Sequence, residues 1–247
     1  MDIHVLDNAR QLGERAAVHA ASVLQEAIGR QGKARLLLST GSSQFEFFRA
    51  FVAQPVDWRK VEMFHLDEYA GIKADHPASF QAYLLERFIG QVQLGKYHLV
   101  DGTGDIGATI AGLNEAISEA PVDLAMIGIG ENAHIAFNDP PADFDTEEPY
   151  IVVELDEACK RQQVGEGWFA GLADVPTHAI TMSVRQILKS RVILSCVPHA
   201  VKAEAVRNTL EREISPDTPA TMLRTHPNWT LYLDRASAAL AGLEVSE

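Results

Sequence analysis

The chain has 247 residues, of which 47% are hydrophobic and 22% are charged, and its formal net charge is −13. These proportions are ordinary for a globular protein with its own core, and they exclude a disordered chain or a fibrous repeat. The acidic surplus argues against binding to nucleic acid, which needs Lys and Arg against phosphates, but a small anionic ligand could still bind in a locally positive pocket.

The first half of the chain alternates helical and strand patterns. Residues Asn8–Ile28 carry apolar side chains at helical spacing, and Gly29 is expected to close this helix. The apolar run Ala34–Ser39 is typical of a buried parallel strand. The same rhythm predicts helices over Gln44–Ala53, Ser79–Ile89 and Ile106–Ala120, and strands over Val61–Leu66, Tyr97–Val100 and Leu124–Ile129.

The second half continues the alternation, and neither a linker nor an internal repeat divides the chain. This pattern predicts one α/β domain over residues 1–247, with a mainly parallel sheet and helices on both faces. In such sheets ligands bind at the carboxyl ends of the strands. The remaining predicted strands are His178–Met182, Val192–Val197 and Thr230–Leu233, and the remaining predicted helices are Val184–Lys189, Ala200–Glu211 and Ala236–Leu243.

Small polar residues follow the first apolar strand, where Ser39, Thr40, Gly41, Ser42 and Ser43 precede a helix. Hydroxyl groups and a glycine at such a position leave backbone N–H groups free for an anion, and phosphate is the natural ligand. A simple helix N-cap explains the same residues equally well. The spacing is not that of a P-loop.

Two adjacent carboxylates, Asp67 and Glu68, follow the second apolar strand. A carboxylate held near a substrate can act as a general base. Because neighbouring residues leave a strand on opposite faces, we expect one of them to point into a site and the other to support the loop. Solvated loop charges are the alternative interpretation.

The segment Gly128–Pro140 contains the most specific pattern in the chain. Two glycines, Gly128 and Gly130, follow a buried strand and allow close approach of the backbone to a ligand. His134 and Asp139 lie five residues apart in this turn. A histidine oriented by a carboxylate can exchange protons near neutral pH, although a single histidine is more often structural.

Lys202 lies in the first turn of a predicted helix that follows another strand. A cation opposes the helix dipole there, so pairing with an anion would explain it, and a solvated lysine is the alternative.

The two cysteines, Cys159 and Cys196, have no zinc-site spacing and are interpreted as reduced thiols. No signal-peptide core and no apolar run of about 20 residues is found, so we expect a cytoplasmic protein without a membrane anchor.

Taken together, these motifs resemble the glucosamine-6-phosphate deaminase family over roughly residues 8 to 240, in the family's order. Ser39–Ser43 is similar to its P-T-G-S-T-P, and Asp67–Tyr69 followed by His76–Ser79 is similar to its D-E-Y and H-P-x-S. Gly128–Pro140 is similar to its G-x-G-x-D-G-H-I-A-F-N-E-P, and Lys202 matches its phosphate-binding lysine.

The resemblance implies conversion of D-glucosamine 6-phosphate into D-fructose 6-phosphate and ammonia in the catabolism of N-acetylglucosamine and related amino sugars, with neither metal ion nor organic cofactor. It implies that His134 opens the pyranose ring and that Asp67 moves a proton from C2 to C1. The phosphate would rest on the loop Thr40–Ser43 and on Lys202, with Ser39, Glu68 and Gly130 also at the binding site. A homo-oligomer is an open expectation.

The chain departs from the family at four places, one of which is Ala133 in place of the usual Gly. Asn132 stands where the family has Asp, and Asp139 stands where it has Glu, so one of two carboxylates beside His134 is missing. We therefore expect the protonated form of His134 to be less favoured, with Asn132 still orienting the ring by a hydrogen bond. The family's phosphate-binding Arg has no match in Lys160–Phe169, where Arg161 is the candidate substitute.

Three other functions remain open at this point. A 6-phosphogluconolactonase would have D-E-R and a G-x-D-G-H-x-A-S-L-F-P pattern, whereas this chain has Tyr69 and the run Phe137–Pro140. A non-catalytic sugar-phosphate sensor is the second alternative, because of Asn132. The third is a deaminase or isomerase for another amino-sugar phosphate.

Overall fold

The computed structural model describes residues 1–245 and confirms the α/β class. Seven strands form a main sheet and run parallel to one another in the order β1-β10-β9-β6-β2-β3-β5, and three form a small antiparallel sheet in the order β4-β8-β7. The strands are β1 (Asp2–Leu6), β2 (Ala34–Leu38), β3 (Val61–His65), β4 (Asp67–Tyr69), β5 (Lys96–His98), β6 (Leu124–Met126), β7 (Tyr150–Glu154), β8 (His178–Met182), β9 (Val192–Val197) and β10 (Trp229–Asp234).

Eight α-helices connect these strands within residues 1–245, none of which has both the length and the apolar character needed to span a bilayer. They are α1 (Ala9–Gln31), α2 (Phe45–Phe51), α3 (Phe80–Leu84), α4 (Ile106–Ser118), α5 (Glu157–Gly165), α6 (Val184–Leu188), α7 (Ala203–Glu211) and α8 (Arg235–Ala238). Shorter turns of 3₁₀ helix cover Ser42–Gln44, Trp58–Lys60, Leu172–Asp174, Ala200–Lys202 and Pro219–Thr225, and a π-helical turn covers Leu85–Ile89.

The predicted helices lie on both faces of the main sheet. In β2, Leu36 and Leu38 pack into the core shared with α1 and α2, whereas Leu37 between them faces the core shared with α4, α6 and α7. Side chains that alternate between two faces in this way are typical of a strand. Because both faces are covered, all residues of β2 except Arg35 are apolar.

Helix α1 shows how local sequence sets an element's ends. Its first turn is capped by Asn8, whose side chain accepts a hydrogen bond from the backbone N–H of Gln11. The predicted end at Gly29 is wrong, because the helix continues to Gln31. Gly32 terminates it at φ +78°, a left-handed conformation that favours glycine, and its N–H donates to the carbonyl of Ile28.

Two further expectations are corrected. Residues His178–Met182 do form a strand, but it belongs to the small antiparallel sheet, where it pairs with Asp67–Tyr69. The chain therefore leaves the main sheet after β3, and Asp67 and Glu68 lie at the start of a separate strand. The predictions missed β1, β7 and α5, whose residues are half exposed or mostly polar and so carry no apolar run.

Candidate active site

The candidate active site lies where the strand order of the main sheet reverses. From β2 the sheet continues through β3 and β5 on one side, whereas β6, β9, β10 and β1 build the other side. The loops after β2 and β6 therefore diverge and open a crevice, the usual place for a ligand in such sheets. Nine of the predicted site residues line the cavity found there: Ser39, Thr40, Gly41, Ser42, Ser43, Asp67, Gly130, His134 and Lys202.

The loop after β2 is held from outside and presents small polar groups to the cavity. Gly41 has φ +107°, which favours glycine, and its carbonyl accepts a hydrogen bond from the Tyr83 hydroxyl at 3.0 Å. The Gln44 amide donates to Ser43 Oγ at 3.0 Å. The buried Ser39 hydroxyl has no hydrogen-bond partner within residues 1–245. These features suit a loop that binds an anion through hydroxyl and backbone donors.

Lys202 enters the cavity from the turn after β9. The turn is strained, with His199 at φ +81°, and it is held by hydrogen bonds from the His199 N–H to Asp234 and from the Lys202 N–H to the His199 carbonyl. The side chain is 7% exposed and forms neither a hydrogen bond nor an ion pair within residues 1–245. Burial lowers its pKa, and the charges of Glu166 and Glu131 offset part of this effect. A buried cation without a partner favours an anionic ligand.

Asp67 and Glu68 point in different directions, as their alternation along a strand predicts. Asp67 lines the cavity, and its burial, with the neighbouring charge of Glu68, raises its pKa well above the ordinary value. Glu68 accepts hydrogen bonds from the N–H of Tyr69, the hydroxyl of Ser79 and the N–H of Gln81. The bonds from Ser79 and Gln81 hold the start of α3, and Glu68, which is expected from the sequence at the binding site, does not line the cavity.

His134 is held by two polar neighbours. Its Nδ1 lies 2.9 Å from Asp139 Oδ1, which is within ion-pair distance. The two atoms do not have the geometry of a hydrogen bond. Asn132 donates to the same Asp139 oxygen at 3.2 Å and accepts from the His134 N–H at 3.1 Å. Burial alone would raise the pKa of Asp139, but contacts with His134, Asn132 and Cys159 hold it below the ordinary value. Asn132 and Asp139 therefore act behind the cavity wall, not in it.

A tight turn carries this histidine. The N–H of Gly130 donates to the His134 carbonyl at 2.9 Å, and the N–H of Ala133 donates to the Gly130 carbonyl at 3.0 Å. Ala133, which stands where the family resemblance has glycine, takes φ +65°. A left-handed alanine is unusual, so the surrounding hydrogen bonds over-determine the turn.

Three groups that could hold a metal ion meet beneath the cavity. The donor atoms of His134, Asp139 and Cys159 lie within 4.8 Å of one another. Burial and nearby carboxylates, Asp139 first among them, raise the pKa of the Cys159 thiol far above its ordinary value. A zinc-type ion would suit this N, O and S donor set, but it would have to displace the thiol proton.

Helix α5 and the residues after it close one wall of the cavity with groups that the sequence interpretation missed. Gln162, Gln163, Glu166 and Trp168 all line it. Only their position in the sequence could have indicated them, since they lie in the stretch where the family that this chain resembles has its phosphate-binding arginine. Arg161, the predicted substitute, is not in the lining, because its guanidinium pairs with the exposed Glu157 at 2.9 Å.

The cavity therefore combines two chemical environments. One part, made by the loop Ser39–Ser43 and Lys202, offers hydroxyl donors and an unpaired cation. The other part offers Asp67, a carboxyl group whose raised pKa suits proton transfer, and His134 backed by Asp139. A small molecule with an anionic end and an acidic C–H bond would fit both.

Comparison with known proteins shows the family of the chain. The family model for glucosamine-6-phosphate isomerases and 6-phosphogluconolactonase matches residues 7–232. A protein of Lactobacillus delbrueckii subsp. bulgaricus named glucosamine-6-phosphate deaminase is 33% identical over 241 residues, which cover 97% of this chain and 99% of the relative.

Solved structures show the same fold. A structure described as a monomeric glucosamine-6-phosphate deaminase superimposes with a TM-score of 0.89 and 30% identity, covering 97% of this chain and all of that one. A 6-phosphogluconolactonase of Shewanella baltica superimposes with a TM-score of 0.76 at 22% identity, covering 95% of this chain and 97% of that one. At that identity the second likeness shows the fold alone.

Proposed function

This chain belongs to the family of glucosamine-6-phosphate isomerases and 6-phosphogluconolactonases, and we propose that it converts D-glucosamine 6-phosphate and water into D-fructose 6-phosphate and ammonia. The observation that carries this proposal is the single cavity that holds both an unpaired buried cation, Lys202, and a proton-transfer pair, Asp67 and His134. The relative that is 33% identical over nearly the full length is named for this reaction.

In the proposed mechanism, the phosphate binds the loop Ser39–Ser43 and Lys202. His134 donates a proton to the ring oxygen as the bond from C1 to that oxygen breaks, and it takes the proton of the C1 hydroxyl in return, which gives the open aldehyde. Asp139 contacts the imidazole Nδ1, and Asn132 accepts a hydrogen bond from the backbone N–H of His134, so the two residues hold His134 in place for this step.

Asp67 then takes the proton from C2 and returns it to C1. During this transfer the ammonium group at C2 gives one proton to the aldehyde oxygen, which becomes the C1 hydroxyl, and C2 is left as an iminium. Water adds to the iminium, and the carbinolamine releases ammonia and leaves the ketone. The raised pKa of Asp67 makes its ionised form a stronger base than an ordinary aspartate. The substrate's ammonium group would favour that ionised form while it is bound.

The test is an ammonia-release assay with a panel of amino-sugar 6-phosphates, run beside hydrolysis of 6-phosphogluconolactone. We expect ammonia and fructose 6-phosphate from the glucosamine compound, with turnover lost in Asp67→Asn. Hydrolysis of the lactone without ammonia release would assign the chain to the other branch of the family. Ammonia release from another epimer of the amino-sugar phosphate, and not from the glucosamine compound, would change the assigned substrate and keep the mechanism.

The proposal includes a place in the cytoplasm, in the breakdown of N-acetylglucosamine and related amino sugars. It is supported by the two cysteines, Cys159 and Cys196, which are both free and buried. Cell fractionation tests the location, and recovery of the protein outside the cytoplasm would overturn it. Sedimentation of the pure protein tests the predicted homo-oligomer against the monomeric state described for the structural relative.

A further inference from the structure

A carboxylate of the protein already occupies the polar end of the cavity. Glu166 Oε2 accepts hydrogen bonds from Ser42 Oγ at 3.2 Å and from the Trp168 indole N–H at 3.1 Å. Its other oxygen, Oε1, accepts from the Gln162 amide at 2.7 Å. Ser42 belongs to the loop assigned above to phosphate, so one donor of that loop is engaged by an internal anion.

The charge of the Glu166 carboxylate also acts on Lys202, although the two side chains do not form an ion pair. The charges of Glu166 and Glu131 favour its protonated form, but no ion pair joins Lys202 to either residue. The cation is therefore partly neutralised at a distance and has no direct partner among residues 1–245. A phosphate that binds Ser42 and Lys202 together would enter against the charge of Glu166, since like charges at close range repel strongly.

A purely structural role explains Glu166 less well. Gln162 and Trp168 are its neighbours along the chain, and their two hydrogen bonds would suffice to fix the end of α5. The bond to Ser42 crosses 124 positions of sequence and reaches into the cavity. Glu166 also lines the cavity, a position that a carboxylate would not need in order to fix the end of α5.

We propose that Glu166 is a resident anion in the phosphate-binding end of the cavity, and that the substrate's phosphate displaces it from Ser42. Glu166 thus determines how tightly the cavity accepts phosphate, an inference that rests on the proposed function only for the identity of the phosphorylated ligand. Displacement also releases Trp168, because its indole N–H and Ser42 Oγ donate to the same Oε2.

Trp168 provides a reporter for this displacement. The chain has three tryptophans, and the other two, Trp58 and Trp229, are 9% and 1% exposed and pack in the hydrophobic core. Loss of the hydrogen bond to Glu166 should change the fluorescence of Trp168 and leave the other two unaffected.

The experiment titrates inorganic phosphate into the whole protein, with calorimetry for affinity and tryptophan fluorescence for displacement. We expect Glu166→Gln to bind phosphate about tenfold more tightly than the unaltered protein. The matched control is Glu157→Gln, which removes the same charge from an exposed residue of α5 and should bind phosphate like the unaltered protein. The fluorescence change should be absent in Trp168→Phe, and circular dichroism would confirm that each variant is folded.

The outcomes separate this inference from the proposed function. Equal or weaker phosphate binding by a folded Glu166→Gln protein would overturn the resident anion even if ammonia release is normal. Failure of ammonia release with tighter phosphate binding by the variant would overturn the proposed reaction and retain the resident anion. If the unaltered protein binds no phosphate, or the Trp168→Phe variant keeps the full fluorescence change, the displacement model is wrong.

Discussion

The imidazole of His134 lies directly against the backbone of Gly130. A Cβ atom built on Gly130 would stand 2.2 Å from His134 Nε2 and 2.4 Å from its Cδ2 and Cε1 atoms. The carboxylate of Asp139 limits the ring from the Nδ1 side at 2.9 Å. The absence of a side chain at position 130 therefore determines where the imidazole of His134 can lie in the cavity.

The first prediction concerns Gly130→Ala. The added methyl group forces the His134 ring out of its position, so we expect kcat for ammonia release to fall by about 10²-fold or more, the range for a lost acid–base group. The matched control is Gly112→Ala, a glycine of α4 with no atom near its added Cβ, which should leave kcat unchanged. Near-normal turnover in a folded Gly130→Ala protein would show that the His134 position does not matter.

The second prediction uses the raised pKa of Asp67. Because the native state holds this proton more tightly than the unfolded state, the contribution of Asp67 to stability falls as pH rises through its native pKa. Asp67→Asn cannot ionise, so it should abolish turnover and yet stabilise the protein at pH 8 by on the order of 2 kcal/mol.

Denaturant unfolding of both proteins at pH 5 and pH 8 measures this effect. The stability difference between the variant and the unaltered protein should shrink at pH 5, where Asp67 is more fully protonated. A difference of the same size at both pH values would mean that the charge on Asp67 costs no stability and that burial does not control its ionisation.

The third prediction is that Lys202→Ala raises KM for the phosphorylated sugar by roughly 10- to 100-fold, since charged hydrogen bonds contribute about 1.5–3 kcal/mol. Lys33→Ala is the control, because this exposed lysine precedes the opposite end of β2 and carries the same charge. An unchanged KM in Lys202→Ala would assign phosphate binding to the loop Ser39–Ser43 alone.

Sequence patterns predicted most of the main sheet because its strands are buried on both faces. All residues of strand β2 are buried, and all of them except Arg35 are apolar, so its sequence is typical of a buried strand. In β7 only Tyr150 is buried and the other four residues are half-buried or exposed, so the strand gave no comparable signal. The small sheet itself could not be predicted, because its formation depends on β4 pairing with β8 across more than a hundred residues of sequence.

The site residues also fall into those that the sequence patterns predicted and those that they missed. Motifs at strand ends located Asp67, His134 and Lys202, because parallel strands bring their carboxyl ends to one edge. Glu166 and Trp168 were missed, since they lie in the turn after the polar helix α5, and tertiary packing sets the place of this turn over the cavity. Glu68 does not line the cavity, because in β4 its side chain points away from that of Asp67 and binds Ser79 and Gln81 at the start of α3.

The last prediction concerns Asn132, where the chain departs from the family pattern. Asn132 donates to Asp139 Oδ1 at 3.2 Å, and Asp139 lies against His134 Nδ1. In Asn132→Asp an acceptor faces an acceptor at that distance, so a hydrogen bond is lost and two like charges meet. We expect the variant to be less stable at pH 8 by about 1–3 kcal/mol and to recover as pH falls and the pair takes up a proton.

The same second charge favours the imidazolium form of His134, so the basic limb of the kcat/KM profile should move to higher pH. The titration of the substrate's own phosphate near pH 6 is removed by comparing both proteins with one substrate. Asn132→Gln, which keeps the amide but displaces it by one methylene, controls for geometry and should leave the limb in place. If neither the stability nor the limb of Asn132→Asp changes, residue 132 is not electrostatically coupled to His134, and the hydrogen bond to Asp139 would then only position the turn.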